Sequence, residues 1–150
     1  FKDTTAGVTT LRNINGAGLI TVTQNLNDIT VDAPTISGGT YTPTLSNTIN
    51  VLAFTAFQCQ FMRVDGTVTV SGRVSIDPQT NGTATRLGIS LPVASDFGST
   101  EDCGGTSACP DIAQSGVVMA DATNNRATLE FLAATSSVKD HWFTFTYQII

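Results

Sequence analysis

The stretch Thr67-Val68-Thr69-Val70-Ser71-Gly72-Arg73-Val74-Ser75-Ile76 decides the fold. Val68, Val70, Gly72, Val74 and Ile76 fall on one face, and Thr67, Thr69, Ser71, Arg73 and Ser75 on the other. Alternation with a period of two places successive side chains on opposite faces of a strand, so this segment reads as a half-buried β-strand. Asp65-Gly66 stands just before it and supplies a hairpin turn, because glycine adopts positive φ without steric cost. Residues 56–64 precede the turn and alternate as well, with Phe57, Cys59 and Phe61 on one face.

The pattern repeats outward from this hairpin. Residues 40–45 and 49–53 read as edge strands, 86–91 as a strand stopped by Pro92, and 77–85 as a polar loop. Residues 95–111 are rich in Gly, Ser and Asp and read as a long loop. Residues 115–122 and 127–134 read as two strands joined by Thr123-Asn124-Asn125-Arg126. The last strand is 142–150, where Phe143, Phe145, Tyr147 and Ile149 alternate with Trp142, Thr144, Thr146, Gln148 and Ile150. Its second face, bearing Trp142 and Ile150, is too apolar for open water and points to a subunit interface. Roughly seven or eight strands with no helical period specify an all-β fold, an antiparallel β-sandwich of jelly-roll type.

Residues 1–33 differ from this. Three short alternating segments, 1–12, 18–24 and 29–32, are separated by Asn, Gly and Asp turns, with one turn at 25–28. Leu11, Ile14, Ile20, Val22, Ile29 and Val31 are too few to bury a core, so this meander needs partners, expected to be two further copies of itself. Ala33-Pro34-Thr35-Ile36-Ser37-Gly38-Gly39 punctuates the chain as a linker. The expected organisation is a β stem over 1–35 and a sandwich head over 36–150, assembled as a trimer.

Composition narrows the function. Charged residues make up 13% of the chain and the net charge is −5, with seven scattered basic residues. Nucleic acid requires a basic stripe, and an anionic membrane surface requires the same, so neither partner is expected. The apolar runs fall far short of the ~18 residues of a membrane helix, and membrane insertion is not expected. The chain begins at Phe1 rather than Met, as expected of a piece of a longer protein. Cys103 and Cys109 flank a short Gly-rich segment and form either a small disulfide loop or two free thiols, while Cys59 alternates with apolar neighbours and reads as buried. Two cysteines and one distant His141 do not make a zinc site, and no metal or cofactor is expected.

Catalytic chemistry finds little material. Glycan hydrolysis needs two opposed carboxylates, and the only glutamates are Glu101 in a loop and Glu130 in mid-strand. A serine triad would depend on His141, the only histidine, within a turn at Asp140-His141-Trp142; a partly exposed loop position suits it better. The expectation is a non-enzymatic recognition module. Uncharged polar and aromatic loop residues suit sugars, since polar groups satisfy hydroxyls and a ring stacks on the apolar sugar face. By loop position and chemistry the receptor-binding candidates are Asp96, Phe97, Glu101, Asp102, Asn124, Asn125, Asp140 and Trp142; the plainer reading makes most of them turn residues.

Several of these segments resemble a known family. Asn15-Gly16-Ala17-Gly18-Leu19-Ile20-Thr21-Val22-Thr23-Gln24-Asn25, with Asp28-Ile29-Thr30-Val31, resembles the shaft element of bacteriophage tail fibres and related virion appendages. Gly39 to Leu45, Cys59 to Val74 and the closing Phe143-Thr144-Phe145-Thr146-Tyr147-Gln148 resemble the C-terminal heads of such fibres. The resemblance implies a homotrimer at the distal end of a virion appendage, beside other appendage proteins, attaching the particle to a host-surface glycan or protein. It carries over no catalytic residues. A structural virion component, such as a capsid fibre, decoration or spike that binds no receptor, is the alternative it leaves open.

Overall fold

The structure is a computed structural model and describes residues 3–5, 8–10, 21–24 and 29–150. The chain divides into two units, Phe1–Thr35 and Ile36–Ile150. Among its described residues the first unit contains two antiparallel strand pairs. One pairs β1 (Asp3–Thr5) with β2 (Val8–Thr10), and the other pairs β3 (Thr21–Gln24) with β4 (Ile29–Asp32). The expected first strand is thus two strands. The expected turn at 25–28 and the side chains of Leu11, Ile14 and Ile20 lie outside the described residues.

The second unit is one ten-stranded antiparallel sheet. Its strands are β5 (Ile36–Tyr41), β6 (Leu45–Ile49), β7 (Val51–Ala56), β8 (Cys59–Val64), β9 (Thr67–Pro78), β10 (Ala84–Ile89), β11 (Cys103–Cys109), β12 (Gln114–Asp121), β13 (Arg126–Leu132) and β14 (Lys139–Gln148). Neighbours run β5-β8-β9-β14-β11-β12-β13-β10-β6, and β7 also pairs with β9. The deciding strand β9 is 12 residues long. Its first half takes β8, from Thr67↔Val64 to Ser71↔Gln60, and its second half takes β7, from Val74↔Ala56 to Pro78↔Val51.

The sheet curls. β6 lies beside β10 and β7 beside β9, yet the two are consecutive and turn at Asn50, whose φ is 57°. Asn50 pins this corner: its Nδ2 donates to Thr80 O at 2.9 Å and Thr85 Oγ1 at 2.8 Å, and its Oδ1 accepts from Thr80 N at 2.9 Å. The expected all-β antiparallel head is therefore present. Its two layers are the two halves of one curled sheet, a consequence of strand twist accumulating over many strands.

The inner face holds the core. Val68, Val70, Val74 and Ile76 of β9 are buried with Leu87, Ile89, Val118, Leu129, Phe131, Phe143, Phe145 and Tyr147. Each such side chain contributes about 1.5–3 kcal/mol on leaving water. On β14 the rings form a column, Phe143–Phe145 with centroids 5.8 Å apart and Phe145–Tyr147 6.2 Å apart. The facing strand β11 answers with small residues: Cys103, Gly105 and Ser107 lie in register with Tyr147, Phe145 and Phe143. A Cβ on Gly105 would strike the Thr144 carbonyl oxygen and come within 2.6 Å of Phe145 Cα.

That pairing corrects the expected loop over 95–111. Residues 103–109 form a central strand between β14 and β12. Their Gly- and Ser-rich composition reflects close packing against aromatic rings, with no loop involved. The strand also decides between the two readings left open for Cys103 and Cys109. Cys103 and Cys109 are free and buried. They end one extended strand, and six residues at ~3.4 Å each separate them by roughly 20 Å, beyond disulfide reach. Cys59 is buried as expected. Two boundaries also move. Ile36 to Gly39, expected in the linker, belong to β5 and pair with β8. The expected strand over 56–64 begins only at Cys59, with Phe57 and Gln58 linking it to β7.

Candidate functional site

The outer face of the sheet carries the candidate site. Across β8, β9, β14 and β11, Gln60, Ser71, Thr144 and Thr106 stand in register on adjacent strands. They form a rung of four uncharged polar side chains. One rung along, Arg73 of β9 lies opposite Trp142 of β14. With Phe57 and Gln58 these residues line a groove of about 710 Å³.

Arg73 organises one wall. Its guanidinium sits 3.8 Å from the ring centroid of Phe57 and 5.4 Å from that of Trp142. Cation–π contact holds the guanidinium against the rings while its edge stays open to hydrogen bonding. Arg73 Nη1 donates to Asp140 Oδ2 at 2.6 Å, and Ser75 Oγ donates to the other carboxylate oxygen, Oδ1. The charge of Arg73 is therefore matched within the site. Trp142 remains 53% exposed. The same face of β14 continues with Thr144, Thr146 and Gln148, and Thr146 Oγ1 meets Thr69 Oγ1 at 3.1 Å. Trp142 and Ile150 are both exposed on this face, as read from the sequence. One aromatic side chain stands in a row of hydroxyls and amides.

The sequence-selected residues fall into two groups. Asp140 and Trp142 belong to this groove and its wall. The others gather where the 92–99 segment meets the turn after β12. Phe97, expected at a binding surface, is 4% exposed and packs edge-on against Tyr147 at 5.8 Å. Its N–H donates to Asn125 Oδ1 at 2.9 Å, and Asn125 Nδ2 donates to Asp96 Oδ1 at 3.0 Å. Asn125 has φ 49°. Asn124 Nδ2 donates to Asp121 Oδ2 at 2.7 Å. Asp102 Oδ2 accepts from Gly98 N at 2.8 Å and Ser99 N at 2.9 Å, closing a single 3₁₀ turn over Thr100–Asp102. Glu101 is exposed beside it. Asp102 thus caps its own turn through short side-chain-to-backbone bonds, whereas Asn124 is held by the Asp121 carboxylate and Asn125 ties the turn after β12 to residues 96–97.

His141 also departs from expectation. It lies within β14 and is 1% exposed, with no turn at 140–142. Burial pushes its pKa down to about 4, with neighbouring Asp140 pulling weakly upward. Glu130, on the outer face of β13, receives Arg86 Nη2 on both oxygens at 3.1 and 3.0 Å. Among the described residues no His/Cys/Asp/Glu group is placed to hold a metal ion.

Sequence reasoning missed Arg73, Phe57, Gln58, Gln60, Ser71, Thr106 and Thr144. Gln60, Ser71, Arg73 and Thr144 are outward positions of strand alternation, Thr106 falls in the segment expected as a loop, and Phe57 and Gln58 lie in the link between β7 and β8; only the register of paired strands brings them together.

No family model matches this chain, and no curated protein does. A solved structure similar to it is the reovirus attachment protein sigma1, crystallised with alpha-2,3-sialyllactose. The two share 14% identity at a TM-score of 0.48, over 96% of this chain and 83% of that one. Identity of that order leaves the ligand of one protein silent about the ligand of the other.

Proposed function

We propose that this chain is the receptor-binding tip of a phage tail fibre or similar virion appendage, a non-enzymatic module that attaches the particle to a host-surface glycan. The observation that carries this reading is the groove: an exposed Trp142, a neutralised Arg73 and an in-register row of hydroxyls and amides. An indole platform beside hydrogen-bonding groups suits a sugar ring, which has one apolar face and a hydroxyl edge. The resemblance of residues 15–31 and 39–74 to fibre shafts and heads supports the virion setting. Fluorescently labelled protein mixed with a panel of bacterial strains should coat a subset of them. Failure to coat any strain sinks the reading.

The assembly is proposed as a homotrimer. Ile36, Met62 and Val64 are exposed on neighbouring strands, with Ile36 in register with Val64 and Met62 with Gly38. Among the described residues, β5 also ends the sheet, with pairing on one side alone. An apolar patch along an open strand edge is a surface that native proteins cover. Light scattering at micromolar concentration should return three times the chain mass; a monomer refutes the trimer. That same patch equally suits docking on another virion protein, which is what the structural-component reading requires. Protein that decorates particles in micrographs but coats no cell would favour that reading.

A further inference from the structure

We infer that the Trp142 groove selects uncharged, hydroxyl-rich sugar chains over acidic ones. The inference rests on the glycan-binding reading above and adds the class of glycan.

The charge balance of the groove carries it. Arg73 is the one charged residue among the groove's described lining side chains, and its cation is matched by Asp140 at 2.6 Å. The nearby Lys139 faces Asp111 at 3.5 Å. A sialate, uronate or phosphate entering the groove would find no free cation among those lining residues, and it would meet Asp140 as a like charge. The chain as a whole carries −5, which repels anions at long range. A neutral sugar meets none of these penalties. Pairing uses Nη1 of Arg73, while a guanidinium has five N–H donors in a fixed fork. The remaining donors suit hydroxyl or ring oxygens.

Shape agrees with chemistry. The row Gln60, Ser71, Thr144 and Thr106 crosses four strands, about 14 Å at the usual spacing between strands. That length fits a short oligosaccharide laid across the strands, with one ring on Trp142.

The test prints neutral hexose oligosaccharides and matched sialylated and uronate-bearing ones on one array, probed with wild type, Trp142→Ala and Asp140→Asn. Wild type should retain neutral glycans, with affinity little changed by added salt. Trp142→Ala should weaken binding by about tenfold or more, as loss of a central aromatic contact does. Asp140→Asn frees the Arg73 charge, so it should gain affinity for acidic glycans several-fold, a change that a folding defect cannot produce; circular dichroism checks that both variants fold. Preference of wild type for acidic glycans, with affinity falling in salt, overturns the inference. Neutral binding untouched by Trp142→Ala overturns it too, by placing the site elsewhere. Protein that coats cells but retains no glycan assigns the receptor to protein, ending this inference and leaving attachment standing. Protein that coats no cell defeats the attachment reading itself.

Discussion

The imidazole of His141 lies stacked on the ring of Phe131, with centroids 4.2 Å apart and planes 30° apart. His141 is on β14 and Phe131 on β13, and two strands intervene in the sheet. A flat sheet would hold them about 14 Å apart. Their contact shows how tightly the sheet curls, and it places a titratable ring in the core.

Acid should therefore weaken the fold through His141. Its pKa is about 4 in the folded chain against 6.5 for the free side chain. The unfolded chain thus binds the proton first. Stability should be full above the unfolded value, decline as pH falls from 6.5 towards 4, and level off below. The loss should be of order 3 kcal/mol. Denaturant midpoints across that range would measure it, with His141→Phe as control. An equal loss in the control would clear the histidine.

The corner at Asn50 should tolerate glycine better than alanine. Asn50→Ala loses the side-chain hydrogen bonds to Thr80, Thr83 and Thr85 and keeps a side chain at φ 57°. We expect a loss of about 2 kcal/mol. Asn50→Gly loses the same bonds but relieves the backbone, so it should cost less. Thermal melts that rank alanine above glycine would contradict the strain argument.

Two adjacent glycines should respond oppositely. Gly105→Ala would press against Phe145 and the Thr144 carbonyl, whereas nothing lies within 4 Å of a Cβ on Gly104. Gly105→Ala should cost about 3 kcal/mol or prevent folding. Gly104→Ala should leave the melting temperature within a few degrees of wild type. Similar melting temperatures for the two would disprove the packing of β11 on the aromatic column.

The thiols should stay reduced and unreactive in the folded chain. Cys59, Cys103 and Cys109 are buried, and burial pushes the Cys103 thiol up to about 12. A thiol reagent at neutral pH should label the native protein slowly and the unfolded protein fast. Reductant should not shift the melting temperature. Intact mass lighter by two hydrogens would instead reveal a disulfide.

Strand positions with strong alternation were legible from sequence. The faces read for β9 and the inward set Phe143, Phe145 and Tyr147 of β14 are the faces observed. The failures cluster where composition and environment disagree. β11 looked like a loop because Gly and Ser carry little strand propensity, and only the bulk of the β14 rings explains them. His141 looked exposed because one side chain in isolation does not reveal which ring it meets across a curled sheet. Phe97 looked available because it sits among turn residues, yet Tyr147 supplies a pocket for it.

The candidate site divides the same way. Trp142 and Asp140 were selected because aromatic and acidic residues announce themselves. Gln60, Ser71, Thr106 and Thr144 are ordinary residues that matter only by register, and register is a property of paired strands.

By itself, the sequence determined that this chain is antiparallel β with a polar, weakly charged surface, because period-two alternation and composition are local quantities. Only the tertiary structure decided that one sheet closes at Asn50, that small residues of β11 face rings of β14, and that Arg73 and Trp142 share a groove, with Asp140 pairing Arg73. Those facts depend on contacts between residues distant in the chain, such as Arg73 and Asp140, 67 positions apart, which no local pattern encodes.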